Sequence, residues 1–253
     1  MPPSLPRPAL DDLRARIARI GPVGQRATGV LPFGVPEIDR RFPEGGLPLS
    51  GLHEVAGGGP GTLHAAAAAL FVAGVMARSA GHVIWCLTRP DLFAPALAQA
   101  GLDADRVIYV EAEREAALLT CFEDSLRHGG LGGVVAEVAK LSMIASRRLQ
   151  LAAEASGTPG FALRRWRRHA DATDFGHPTA ALTRWRISAL PSTPLEGAGI
   201  GRARWLVELI RQRNGGSADF IVEACDATGR LGLSSNMAGR PAVATPWDKQ
   251  ASA

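Results

Sequence analysis

The residues best placed to do chemistry in this 253-residue chain are Gly57, Gly58, Gly59, Gly61 and Thr62. They follow the short apolar stretch Glu54-Val55-Ala56 and open a helix, which is the layout of a loop that binds phosphate. Glycines let such a loop adopt φ > 0, so that several N–H groups converge on one anion with the positive end of the next helix behind them. The pattern is incomplete. A working loop reads G-x-x-x-x-G-K-[ST], with Lys on the β- and γ-phosphates and Ser/Thr on Mg²⁺. Here Gly57 to Gly61 is one residue short, Thr62-Leu63 stand where Lys-Ser belong, and the only lysines are Lys140 and Lys249. Two readings stay open: weak nucleotide binding through the backbone N–H groups, or a tight strand-to-helix turn whose small residues permit close packing.

Two further groups carry charge with a purpose. Glu137 ends the apolar run Val134-Val135-Ala136, where a carboxylate either reaches Mg²⁺ through water or caps the next helix. Arg164, Arg165, Trp166, Arg167 and Arg168 follow another apolar run and open a long polar stretch. Four arginines around one indole can pair with phosphates while the ring stacks on a base, so this cluster is the candidate DNA contact; a solvated basic loop or a protein-partner surface is the alternative. Between Arg147 and Arg213 twelve arginines stand against five acidic residues, a local net charge of +7 in a chain whose total is +4.

The elements that must position these groups are readable from pattern. Leu10, Leu13, Ile17 and Ile20 sit at helical spacing over 9–20, ahead of Gly21-Pro22. After a short helix over 35–42, strand and helix alternate: helix 61–80, strand 82–88, helix 90–100, strand 107–111, helix 113–128, strand 133–138, helix 143–155, strand 160–164. Continuous apolar strands between helices mean a parallel sheet covered on both faces. Alternating strands over 182–190, 204–213 and 220–225, the last two joined by Asn214-Gly215-Gly216-Ser217, then add an antiparallel extension. The expected organisation is an N-terminal amphipathic helix and linker over 1–27, one α/β core over 28–235, and a flexible tail over 236–253.

Other side chains point away from metal or nucleophile chemistry. Cys86, Cys121 and Cys225 are odd in number and form no C-x-x-C pair, so they read as small buried apolar groups. The six histidines show no ligand spacing and read as surface or capping residues; Phe93-Ala94-Pro95-Ala96 matches a short F-x-x-A recombinase docking sequence superficially, but within an apolar helix Phe93 reads as core. No apolar run reaches the ~18 residues of a membrane span and the N-terminus lacks a signal-peptide core, so a cytoplasmic location is expected.

The segments Val35-Pro36-Glu37-Ile38-Asp39, Gly45-Gly46-Leu47-Pro48, Glu54-Val55, the glycine loop, 92–103, Val134-Val135-Ala136-Glu137 and the final meander resemble, in order, the core of RecA recombinases. Thr183-Arg184-Trp185-Arg186-Ile187, Pro191-Ser192, Arg204-Trp205-Leu206-Val207-Glu208-Leu209 and 222–231 (VEACDATGRL) narrow this to a resemblance to the ImuA family, covering roughly 28–235. The resemblance implies a RecA-like P-loop NTPase core. It also implies an accessory role in SOS-induced error-prone translesion DNA synthesis, near the nucleoid. The partners it implies are an ImuB-like Y-family protein, an error-prone C-family DNA polymerase and RecA.

Carried over position by position, the resemblance also implies lost catalysis. It places Glu137 at the Walker B position and Arg89 where the water-orienting carboxylate belongs, and arginine cannot serve as that base. Phosphoryl transfer rests on positioning and electrostatics, so losing lysine and base together predicts no ATPase and no resident cofactor. Lys140-Leu141-Ser142 replaces one of the two DNA loops of RecA, while 164–168 falls in the other. Two alternatives remain: a slow ATP-dependent switch with Thr62 and Glu137 on Mg²⁺ and an arginine in place of lysine, and a modulator that caps or mimics RecA protomers.

Overall fold

Runs of Val, Ile, Leu and Ala that are too short for helices and apolar on both faces become the parallel strands of the core. In the computed structural model, which describes residues 29–59, 61–166, 169–193, 199–213 and 215–233, these are β3 (Leu52–Gly57), β4 (Val83–Leu87), β5 (Val107–Glu111), β6 (Gly133–Val138) and β7 (Gly160–Arg164). With β8 (Thr183–Leu190), β9 (Arg204–Gln212), β10 (Ala218–Glu223) and β11 (Gly232–Leu233) they form one nine-stranded sheet, in the order β11-β10-β9-β8-β3-β7-β6-β4-β5. The strands from β8 to β5 pair in parallel, and β9, β10 and β11 add antiparallel neighbours beyond β8. The mainly parallel α/β sheet with an antiparallel C-terminal extension is therefore the fold. β1 (Val30–Leu31) and β2 (Leu47–Pro48) make a separate small ribbon. The expected helix over 9–20, the tail 236–253, Pro60, Arg167 and Arg168 lie outside the described residues.

Helices cover the sheet on two sides. On one lie α1 (Pro36–Asp39), α2 (Thr62–Ala77) and α3 (Ala94–Gln99), whose core includes Ile38, Phe71, Val72, Met76 and Leu97 against Val55, Trp85, Leu163 and Trp185. On the other lie α4 (Glu115–His128) and α5 (Met143–Ser156), with Leu118, Phe122 and Leu149 against Cys86, Ala136 and Ala162. α5 begins where the Ser142 hydroxyl accepts from Ala145 N at 3.1 Å and ends at Gly157, with φ +73°. Trp185 is fully buried among Phe33, Phe42 and Phe71, with ring centroids 5.4 to 6.1 Å away.

Two helices are shorter than their sequence pattern. α2 stops at Ala77, three residues early, because the Arg106 guanidinium collects the carbonyls of Ala77, Ser79 and Gly81 at 2.6 to 2.8 Å. α3 starts at Ala94, not Pro90, with Pro95 in its first turn, where a missing N–H costs nothing, while Asp91 lies ahead of the helix in an ion pair with Arg165. Phe93 then sits ahead of the helix and is 68% exposed, so the expectation that it belongs to the core is corrected.

The C-terminal meander is locked onto α2 through glycine. A Cβ on buried Gly74 would land on Cys225 Sγ, and one on Gly229 would lie 2.6 Å from the Gly74 carbonyl oxygen. Gly74→Ala should therefore cost about 1–3 kcal/mol of stability, read as a lower urea midpoint, despite the better helix propensity of alanine. An unchanged or higher midpoint would show that the junction yields. Cys86 is buried and burial pushes its thiol up to about 12; Cys225 and Cys121 are only partly buried, a correction for two of the three cysteines.

Candidate functional site

The glycine loop leaves β3 between α2 and β8, and its glycines answer first to packing. Gly58 N donates to Ile187 O at 2.8 Å, which commits one of the amides a phosphate would need. A Cβ on Gly58 would overlap Ser188 Oγ, and one on Gly59 would lie 3.1 Å from the His64 imidazole. His64 is in turn fastened to β8, where its Nδ1 accepts from Ala189 N at 3.1 Å. Gly61, at φ +97°, turns the chain into α2, whose first turn has no side-chain cap. The close-packed turn, one of the two readings of Gly57, Gly58, Gly59, Gly61 and Thr62, describes this geometry.

Beside the loop, at the ends of β6 and β7, Glu137 is already occupied. Its Oε1 accepts from Trp85 Nε1 at 3.0 Å and its Oε2 from Arg165 Nη1 at 2.5 Å. Arg165 also grips Asp91 in a bidentate pair at 2.9 and 3.1 Å. Burial raises the Glu137 pKa above the ordinary carboxyl value and outweighs the lowering by Arg165 and Trp85. A carboxylate whose charge is offset by an arginine at 2.5 Å and whose two oxygens both serve internal donors is a weaker ligand for a metal's water shell than a free one. Together with the missing lysine and with Arg89 at the cleft edge, this donor set does not fit Mg²⁺ and ATP. Among the described residues no group of three or more His, Cys, Asp or Glu is arranged to hold a metal.

The cluster expected to touch DNA is divided by the fold. Arg164, last in β7, is fully buried: Nη1 donates to Glu54 Oε1 at 2.6 Å and Nη2 to Asp174 and to Ala139 O. Strand alternation sends it inward, because Arg164 pairs across from Ala56 and Val138 in the middle of the sheet. Glu54 also accepts from Arg184 Nε at 2.9 Å and from the Thr179 hydroxyl at 2.8 Å. Burial works against the Asp174 charge, yet bonds from Arg164 and Leu141 N hold its carboxyl below the usual value. Arg164 is thus withdrawn from the DNA candidates. Trp166 is withdrawn as a base-stacking platform, since the Arg164 guanidinium lies 5.7 Å from its ring and Phe175 meets it edge-on at 5.9 Å.

Sequence reasoning missed Glu54, Asp91 and Asp174, the partners that reorganise the site. A glutamate inside an otherwise apolar strand was a usable signal for Glu54, because a buried carboxylate demands cations nearby. Asp91 lies in a loop and Asp174 in a 3₁₀ helix over His169–Gly176, and neither gave one. His53, expected at the surface or as a cap, is fully buried, with Nδ1 2.8 Å from Thr183 Oγ1 and Nε2 2.8 Å from Pro48 O.

A charged cleft of about 210 Å³ opens outside the carboxyl ends of β4 and β6, lined by Arg89, Asp91, Arg114, Glu137, Lys140 and Trp166 among others. β4 connects outward to the edge strand β5 and β6 inward to β7, so the cleft stands where the winding reverses, the usual ligand position in open α/β sheets.

The chain is 43% identical over 210 residues to Protein ImuA of Caulobacter vibrioides strain NA1000 / CB15N, an alignment spanning 79% of this chain and 85% of the relative. The same protein from strain ATCC 19089 / CIP 103742 / CB 15 matches equally. No family model matches. Among solved structures, the RadB recombinase superposes with a TM-score of 0.57 at 14% identity, covering 81% of this chain and 99% of that one, which establishes the RecA-like fold.

Proposed function

This chain belongs to the ImuA family, and from that premise we propose that it is a non-catalytic RecA-like accessory protein of SOS-induced error-prone translesion DNA synthesis. It acts by binding and assembly. The observation that supports a non-catalytic reading is Arg165, which pairs with both Glu137 and Asp91 and so offsets the carboxylate charge that a magnesium ion would draw on. An arginine already held by two carboxylates cannot replace the missing lysine, which disfavours the slow-switch alternative. The partners under this reading are an ImuB-like Y-family protein, an error-prone C-family polymerase and RecA. Since Arg164 and Arg165 are spent on internal ion pairs, protein contact rather than DNA contact is its main element. No described helix is long and apolar enough to cross a membrane.

Calorimetric titration of the full chain with Mg²⁺ and ATP tests the reading. The expected result is no binding heat at millimolar nucleotide and no phosphate release. Micromolar binding that disappears in Glu137→Ala would overturn it and make the chain an ATP-dependent switch.

A further inference from the structure

The cleft at the ends of β4 and β6 carries an unmet demand of one sign. Its carboxylates are largely satisfied from within: Asp91 and Glu137 by Arg165, and Glu115 by the backbone N–H groups of Ala139 and Lys140 at 2.8 and 2.6 Å. Of its four cations, Arg165 alone is engaged. Arg89, Arg114 and Lys140 are exposed, line the cleft, and their side chains make no ion pair or hydrogen bond with any described residue. Trp166 adds a donor, for its indole Nε1 is buried at the cleft wall without a partner. Formal charge in the cleft balances, but the free capacity is for donors seeking an acceptor, with Glu113 the sole unengaged acid.

We infer that this cleft binds a compact phosphoryl group, held by Arg89, Arg114 and Lys140 with Trp166 Nε1 as a neutral donor. A dianion with several acceptor oxygens suits two guanidinium forks and an ammonium better than a single carboxylate does. The space is small and no residue of the glycine loop lines it, so the phosphoryl stands apart from any nucleoside triphosphate on that loop. It is either free phosphate or the phosphorylated end of a nucleic-acid strand; both present the same group. The inference does not depend on the proposed role in mutagenesis.

The test is a titration of the full chain with sodium phosphate at constant ionic strength, followed by tryptophan fluorescence and by thermal shift. Saturable binding in the millimolar range is expected, weakened about tenfold in Trp166→Phe, which keeps an aromatic ring but removes the N–H, and at least as much in Lys140→Ala. Arg147→Ala, on the exposed face of α5, should bind as the unmodified chain does. Oligodeoxynucleotides with and without a terminal phosphate form the second arm. Preference for the phosphorylated strand, lost in Lys140→Ala, identifies a strand end as the source; saturable phosphate binding without that preference identifies the free ion. No saturable response at tens of millimolar phosphate, or a response unchanged in both cleft variants, overturns the site.

Discussion

Glu54→Gln should cost about 3–5 kcal/mol of stability, the usual consequence of removing one partner from a buried charge cluster. Glu54 is fully buried and receives Arg164, Arg184 and the Thr179 hydroxyl on its two oxygens. Glutamine keeps the shape but leaves the Arg184 guanidinium, 8% exposed, without a carboxylate, and leaves Arg164 with Asp174 alone. For a domain of this size the melting temperature should fall by roughly 6–20 °C. Glu208→Gln provides the scale. Its pair with Arg186, whose side chain is 44% exposed, should contribute under about 1 kcal/mol. Scanning calorimetry decides: equal, small shifts in both variants would mean that the buried cluster contributes no more than a surface pair.

The second large effect is a pH dependence centred on His53. Its Nε2–H donates to the Pro48 carbonyl while its Nδ1 accepts from the Thr183 hydroxyl, which itself accepts from Trp185 Nε1 at 2.7 Å. The ring is therefore held neutral, and burial lowers its pKa from 6.5 to about 4, against a smaller opposing effect of the Pro48 bond. Above 6.5 both folded and unfolded chains carry a neutral ring, and the group's stabilising effect is fully present. Below it the unfolded chain takes up a proton that the folded chain refuses. Stability should fall by about 3 kcal/mol as the pH drops from 6.5 to 4. Glu137 works in the opposite sense, because its raised pKa makes the folded chain the better proton acceptor as pH falls. Urea titrations of the unmodified chain and of His53→Asn separate the two. The acid slope should be shallower in the variant, and identical slopes would refute the assignment.

Sequence pattern was a good guide wherever burial alone selects the structure. β6 and β7 occupy the residues expected of them, because a strand covered on both faces is mostly apolar and ends where that run ends; the edge strand β5 does so too, although Ile108 and Tyr109 are exposed. The helix end at Ala77 was not legible, since it lies against Arg106, whose partners are distant in sequence and invisible to local periodicity. The start at Ala94 did have a local signal, Pro95 in the first turn. The site divides likewise. The absent lysine can be read from spacing and Arg89 from the resemblance to RecA, whereas the occupation of Glu137 by Arg165 arises only because neighbouring strands bring their ends together. The arginine run misled because composition gives a charge count, and only strand alternation decides that Arg164 faces inward and Arg165 toward the cleft.

The Arg165 pair with Glu137 and Asp91 also constrains the neighbourhood in sequence space. Placing a lysine at Thr62 would add a cation while Arg165 still held Glu137, so that change alone gains nothing. Removing Arg165 alone strands a buried carboxylate and frees the loop that carries Asp91. Each step back toward a magnesium site is neutral or harmful unless the other accompanies it. Such reciprocal dependence predicts that Arg165, Glu137 and Asp91 change together, or not at all, among sequences that share this fold.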